Sequence, residues 1–404
     1  MLNKNGEREL AYVVTIDEIR PIPNYDRVEH ARVGGWWVIV KKDEFKVGDL
    51  AVYIEVDSKV PEKEPFMFLE KKHFKVKTIK MCKVLSQGLL IHPKEFGWEV
   101  IDKNDKIVIT GNGLDEYATV GTFLTKELGI TYATEEDNKR KANSVDKYKQ
   151  MSQRRPEIFR KPWARWMMKR EWGKKVMFFF FGKKKDKKSG WPSHIASKTD
   201  VERIQNMIWI LQDKKSFVAT EKVDGSSFSV MIERDKFGKI KKYVCSRNVV
   251  FDNPEAECFY DTNIYFEAYE KYNLGNKIEQ MLKDLNLPNL AIQMEIYGDG
   301  VQKRNYSLKD GERKIAVFHI LSNNIKMPMD KVVELCEKYD LPHVPIIDNN
   351  YILPDTIEEL QTYVESASSA IDGLEKEGIV FYDKETGTQY FKFVSPNFLM
   401  KYHG

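Results

Sequence analysis

The sequence predicts a two-part α+β protein, with a small antiparallel β-barrel in front and a larger domain of antiparallel sheets and helices behind it. Three observations predict this. Residues 10–96 hold short apolar runs cut by turn residues, with no sustained helical period. From residue 198 onward, strand-like runs alternate with capped helical stretches, joined by hairpins and long excursions in place of regular βαβ repeats. A chain of 404 residues, 42% hydrophobic and 31% charged, can also bury two ordinary cores. The expected boundaries are 1–135 for the barrel, 136–195 for a linker and 196–404 for the second domain.

The barrel strands are expected at Ala11 to Ile16, Trp36 to Val40, Leu50 to Ile54, Phe74 to Lys80 and Gly88 to Ile91, punctuated by Gly34-Gly35 and Val47-Gly48-Asp49. Five short strands in so compact a unit favour an OB-type barrel over a sandwich, with Thr122 to Ile130 closing it. The second domain opens near Lys198. Thr199 and Glu202 have capping-box spacing, and Val201, Ile204, Met207, Ile208 and Leu211 follow at helical intervals, so a helix is expected there. Strands are expected next at Phe217 to Val223 and Ser227 to Ile232, joined by an Asp224-Gly225 turn that leaves Lys222 at a strand end. Further strands fall at Lys241 to Ser246, Ala291 to Tyr297, Lys314 to Ile320, Gly378 to Tyr382 and Gln389 to Val394. A capped helix starts at Asp355 with Glu358 three residues on, and Cys336 lies on an apolar helical face with Val332, Leu335 and Tyr339.

Composition removes several function classes. Met1 to Leu10 is polar and no run of about 18 apolar residues occurs, so a soluble, intracellular protein without membrane partners is expected. Cytoplasm is the default compartment, although Lys183 to Lys188 matches a nuclear localisation signal in composition. Cys82, Cys245, Cys258 and Cys336 form no Cys-x-x-Cys pair and the seven histidines add no ligand spacing, which argues against zinc and against a disulfide framework. The formal charge of +4 conceals an asymmetry: residues 138–188 carry 19 Lys and Arg against 4 Asp and Glu, so the remainder is acidic. Such a segment suits a polyanion by counterion release. A solvated linker is the plainer reading, and the interleaved Phe159, Trp163, Trp166, Trp172 and Phe178 to Phe181 argue against pure disorder.

The run Glu221-Lys222-Val223-Asp224-Gly225 holds the most reactive candidate, a lysine beside a carboxylate and a glycine turn. Alone it is weak, since three fixed residues recur by chance in roughly one chain of this length in ten. Strand alternation adds to it. Ile292, Met294 and Ile296 make an apolar face that leaves Gln293, Glu295 and Tyr297 on the other, and Phe391 and Phe393 likewise point away from Lys392. Glu295 and Lys392 are thereby set on faces that a lined cleft between two sheets requires. No Gly-x-x-x-x-Gly-Lys-Ser/Thr loop is present, so any nucleotide binds without a P-loop.

In order, Lys222-Val223-Asp224-Gly225, Ser246-Arg247-Asn248, Gln293-Met294-Glu295, Ile315 to Phe318, Glu377-Gly378-Ile379-Val380 and Phe391-Lys392 resemble the six motifs of covalent nucleotidyltransferases, the polynucleotide ligases and capping enzymes. Gly35-Trp36, Phe45 to Asp49, Ser86 to Leu90 and Glu127 to Ile130 resemble the N-terminal OB domain of the two-domain, nick-sealing ATP-dependent RNA ligases, and Lys198 to Asn206 is similar to their lead-in to the first motif.

The resemblance implies an ATP-grasp-like ligase core and ATP as AMP donor, with Mg²⁺ or Mn²⁺. Lys222 would be the nucleophile, and Glu221, Asp224, Gly225, Arg247, Glu295, Phe318, Glu377 and Lys392 would line the nucleotide. Arg247 and Glu295 would contact the ribose and phosphate region, Phe318 would stack on adenine, Asp224 and Glu377 would hold the metal through water, and Lys392 would also meet developing phosphate charge. The implied partner is RNA with 3′-hydroxyl and 5′-phosphate ends, as in a nicked duplex, and no feature calls for an obligate protein partner. One departure stands out. Family members often carry Lys-x-Lys in the last motif, but Lys392 is flanked by Tyr390 and Val394, leaving Lys401 as a substitute. The chain ends 12 residues after Lys392, where capping enzymes and typical DNA ligases continue into another OB domain. A DNA ligase, a capping enzyme and a noncatalytic RNA-binding descendant are the rival readings.

Overall fold

The computed structural model describes Met1 and residues 8–101, 106–111, 114–132, 161–168, 170, 173, 176–177 and 190–402, except 248, 257, 259, 261, 386 and 388. Most of the basic aromatic segment, including Phe159, Trp172 and Phe178 to Phe181, lies outside the described residues. Its described piece includes the short helix Pro162–Met168, with Trp163 and Trp166 exposed and Ala164 buried.

The front domain is built on Leu50–Ile54, a strand buried on both faces, which pairs antiparallel with Ala11–Thr15 and Leu89–Ile91. Beside it runs a meander of Glu18–Ile22, Tyr25–Val33 and Trp36–Lys41. Val13, Val52, Ile54, Phe66 and Leu124 pack on one side of the central strand, and Tyr12, Trp36, Val38 and Tyr53 on the other. Four expected strands sit where the alternation placed them. The first two strands of the meander were missed, because Glu18 to Ile22 and Tyr25 to Glu29 are half-exposed or exposed at most positions and carry little apolar alternation. The expected strand from Phe74 to Lys80 is two fragments, Lys75–Val76 and Ile79–Met81, in separate small sheets.

Two sheets form the back domain. One orders Glu202–Arg203, Tyr390–Val394, Gly378–Asp383, Ser216–Lys222 and Ile346–Ile352; the other orders Val250–Phe251, Ile240–Ser246, Ser226–Arg234, Asn289–Gly298, Arg313–Ser322 and Ile325–Lys326. All pairings are antiparallel except that of Glu202–Arg203 with Phe391 and Lys392. Helices Ile264–Lys271, Leu274–Asp284 and Met329–Lys338 bury Ile264, Ile278, Met281 and Leu335 with Phe228, Val230, Ile292 and Met294. Helix Ile357–Ser366 packs Leu360 and Val364 with Phe217, Phe381, Phe391 and Phe393 of the five-stranded sheet. Cys336 is a core thiol, as expected, and burial pushes it up to about 12. Among the described residues no helix is long and apolar enough to cross a membrane.

The Asp224-Gly225 turn leaves Lys222 at a strand end, as expected, and because Ser216–Lys222 and Ser226–Arg234 belong to different sheets it carries the chain from one wall of a cleft to the other. Two further expectations need correction. The helix expected from Asp355 begins at Ile357, capped by Thr356 in a capping box with Glu359; Asp355 pairs instead with Lys214, and Glu358 accepts from the Trp37 indole at 3.2 Å. The helix expected after Thr199 is the edge strand Glu202–Arg203 followed by two 3₁₀ turns, and the Thr199 hydroxyl bonds Ser227 at 2.8 Å in place of a cap.

That last stretch abandons its helical period because both of its neighbours hold it. Arg203 pairs with Lys392 on one side, and Asn206 is sunk into the front domain on the other. The Asn206 carbonyl accepts from Tyr12 at 3.0 Å and Trp36 at 2.7 Å, while its amide donates to Glu55 at 2.8 Å and Glu202 at 2.7 Å. Gly35 donates its backbone N–H to Gln205 O at 2.9 Å, and a Cβ on Gly35 would fall 2.6 Å from Gln205 Cα. Tertiary partners of this number outweigh a few tenths of a kcal/mol per residue of helix preference.

Asn206→Ala is expected to cost roughly 3 kcal/mol in urea unfolding, since it strands buried donors and a carboxylate together. Glu55 gives a pH signature at the same seam. Burial opposes its ionisation, but Arg8 at 3.0 Å, the chain's amino terminus and Arg203 outweigh burial and bring the carboxyl from 4.5 down to about 2. A folded value below the unfolded one stabilises above pH 4.5, and that stability drains away as pH falls from 4.5 toward 2. Unfolding measured across that window should lose about 3 kcal/mol from this group, and Glu55→Gln should flatten the loss.

Candidate active site

Lys222 is the last residue of its strand. Alternation turns Phe217, Ala219 and Glu221 to one face and Val218, Thr220 and Lys222 to the other, which looks across the cleft at the six-stranded sheet. Gly378 lies beside Lys222 in register, so Glu377, just before it, reaches the amine: Nζ to Oε1 is 2.6 Å. From the opposite wall comes Glu295, whose strand neighbours are Ser227 and Ala316. Asp224 is buried at the crossing between the walls. At Gly225 a Cβ would lie 2.3 Å from Ile296 O and 2.8 Å from Glu295 Cγ, so only glycine lets the crossing pass this close to the Glu295 strand.

The charges in this cleft are polarised. Burial favours a neutral Lys222, yet Glu377, Glu295 and Asp224 together hold its pKa above the ordinary lysine value. Glu295 is pushed up to about 8, by burial first and then by Glu377 and Asp224, against the pull of Lys222 and Arg247. Lys392 shows the reverse: burial and then Arg8, Lys222 and Arg203 drive its pKa well below normal, with Asp200 opposing. Carboxylates gather around Lys222, cations around Lys392.

The remaining expected residues are placed as follows. Arg247 bonds Asp200 and stacks 5.1 Å from the Tyr132 ring, a residue of the small sheet that holds Ser58–Lys59. Phe318 sits at a β-bulge, where Gln293 pairs with His319 and Met294 with Val317, so it is the extra residue. It packs half-buried with Val223, Tyr297, Tyr306 and Ala316. Glu221 turns away from Lys222; its carboxylate accepts from Ser369 at 2.5 Å and from Ala370 N at 2.7 Å. Lys401 is exposed and pairs with Glu375 at 3.5 Å.

Two groups escaped the sequence. Arg8 of the front domain is one of the cations that act on Lys392, and a lone arginine near the amino terminus carries no motif signal. Lys326 comes from a two-residue edge strand and sits 3.8 Å over the ring of Tyr390, donating to its hydroxyl. Burial brings Lys326 down to about 8. A second lysine therefore stands two residues along the strand from Lys392, delivered by a different strand from the one the motif uses.

Asp224, Glu377 and Glu295 offer hard oxygen donors next to the amine, and among the described residues no three His, Cys, Asp or Glu close around a metal by themselves. That suits Mg²⁺ or Mn²⁺, which keeps waters and substrate oxygens in its shell.

Comparison with known proteins agrees with this geometry. Residues 10–93 match an OB-fold domain family, and residues 215–403 match the RNA ligase family. Among solved structures, the Naegleria gruberi RNA ligase with PPi is similar at 25% identity and a TM-score of 0.69, covering 98% of this chain and 99% of that one. A mutant of that ligase with ATP and Mn gives 25% identity and a TM-score of 0.70, covering 98% and 100%. Another mutant, with AMP and Mn, gives 25% and 0.69 over 98% and 99%. No curated protein sequence matches. With its polarised cleft behind a barrel, the chain carries an RNA ligase family domain at residues 215–403 behind an OB-fold domain at residues 10–93, and is similar in fold over nearly its whole length to a solved RNA ligase.

Proposed function

We propose that the chain is an ATP-dependent RNA ligase that joins RNA 3′-hydroxyl and 5′-phosphate ends at nicks, with Lys222 as covalent carrier of AMP. The observation that carries this reading is the Lys222 amine held 2.6 Å from Glu377 at the acidic end of a cleft whose other end is basic. Neutral Lys222 Nζ would attack the α-phosphorus of ATP, forming an N–P bond as the P–O bond to pyrophosphate breaks. The AMP would pass to an RNA 5′-phosphate, freeing Lys222, and the 3′-hydroxyl would then attack that end and release AMP. The similar Naegleria ligase structures carry PPi, or ATP or AMP with Mn, which supports nucleotide and metal at this cleft.

The chain's own groups divide the work. Asp224 and Glu377 would hold the divalent ion, directly or through water, and the ion supplies positive charge that competes with Lys222 for those carboxylates and disfavours its ammonium. Lys392, with Arg203 and Arg8 near it, would offset the charge that gathers on the departing phosphates. Phe318, aimed by its bulge, would stack on adenine, while Arg247 and Glu295 would take the ribose side. RNA phosphates would lie against the OB domain and the basic segment.

Incubation with α-labelled ATP and Mg²⁺ should give a labelled protein band that Lys222→Ala abolishes; a wild type that never labels sinks the reading. Asp224→Asn and Glu377→Gln should each slow labelling by about 100-fold, checked by magnesium titration. Nicked duplexes with RNA or DNA 3′-ends, and ATP set against GTP, separate this enzyme from a DNA ligase or capping enzyme: sealing should need ATP and favour the RNA 3′-end.

A further inference from the structure

Motif residues account for the cleft walls but not for the loop 299–306, which follows the Glu295 strand and contributes three inward side chains. Tyr306 accepts the Asp224 backbone N–H on its hydroxyl at 2.5 Å. Gln302 donates to Gly225 O at 2.9 Å. Arg304 lies 4.2 Å over the Tyr306 ring, donates to Asp372 at 2.5 Å and also donates to the Glu375 carbonyl, two residues before Glu377. Both members of the Arg304–Asp372 pair are almost fully buried, 3% and 1% exposed.

Asp372 belongs to the turn 368–375, bridged at its base between Ser368 and Glu375. The same turn supplies Ser369 and Ala370, whose groups hold the Glu221 carboxylate. The contacts close a circuit: Glu221 to Ser369, along the turn to Asp372, across to Arg304, onto Tyr306, and back to Asp224. Lys222 and Val223 are the only residues between its two ends.

We infer that this circuit is a positioning device for the nucleophile, with the Arg304–Asp372 pair fixing the backbone on both sides of Lys222 and the entry to Glu377. The inference rests on the role of Lys222 given above. A buried ion pair is seldom more stabilising than apolar side chains of the same volume, so stability alone gives no reason to keep this one. Its contacts instead converge on the flanks of the attacking residue, where displacements of about 1 Å can cost about 100-fold in rate. Arg304, Tyr306 and Gln302 act through Lys222, Asp224 and Glu377, so they are positioning residues.

The test compares wild type, Arg304→Met, Tyr306→Phe and the double variant Arg304→Met with Asp372→Leu, which removes both buried charges. Three quantities are read: the thermal midpoint, kcat and KM for ATP in Lys222 labelling, and hydrogen exchange at the amides of residues 223–226. Arg304→Met should lower both midpoint and kcat. In the double variant the midpoint should return toward wild type, while kcat stays about 100-fold down and KM for ATP moves less than about threefold. Tyr306→Phe should speed exchange at the Asp224 amide by about tenfold without changing exchange in residues 290–294. Recovery of kcat together with the midpoint in the double variant overturns the inference, because it shows a purely structural pair. Should the double variant not fold, unchanged Asp224 exchange in Tyr306→Phe overturns it. A wild type that fails to label defeats the ligase reading itself, and the exchange measurement then still decides whether the circuit fixes the 221–224 backbone.

Discussion

Charge separation inside a narrow, poorly solvated cleft is the constraint on which the rest of this molecule depends. Asp224, Glu295 and Glu377 crowd one amine, while Lys392 faces Arg8, Arg203 and Lys222, so like charges share a space where water screens them weakly. Neither cluster would persist on a flexible scaffold. The five-stranded sheet carries Arg203, Lys392, Lys222 and the approach to Glu377, and the six-stranded sheet carries Glu295 opposite them, so regular strands fix the spacing of the charges. An acidic pole that can take a cation and a basic pole that can take an anion are the two halves of a phosphoryl-transfer site.

The OB domain is part of this electrostatic arrangement and not an appendage. Arg8 acts on Lys392, Asp57 pairs with Arg203 at 2.9 Å, and Tyr132 carries the Arg247 guanidinium. Glu55, wholly buried, joins Arg8 and Asn206 at the same seam. The orientation of one domain on the other thus sets part of the potential in the cleft.

Much of this was legible in the sequence because it follows period two. Ile292 to Tyr297 and Tyr390 to Val394 expose alternate faces as read, and the order of short motifs pointed to Lys222, Glu295, Glu377 and Lys392, which the fold brings to one cleft. What escaped depends on contacts distant in the chain. The segment after Thr199 has a helical apolar period but is claimed by Asn206 and Arg203 partners more than 140 residues away in either direction. Lys326 and Arg304 lie in stretches without alternation or motif, and only the folded chain shows what they touch. The Asp224-Gly225 pair has the composition of a hairpin turn, and nothing local says that it changes sheets.

The edge strand Glu202–Arg203 gives the molecule a short load path. Two residues separate Arg203, hydrogen-bonded beside Lys392, from Asn206, which is plugged into the OB domain. A tilt of the OB domain bears on the basic pole through that tether, and on the rest of the ligase domain through the Trp37–Glu358 and Tyr132–Arg247 contacts. Two residues of pairing are all that must peel for the pole to lose a cation. The seating of the OB domain and the charge of the cleft are in this sense joined mechanically, through a strand of two residues.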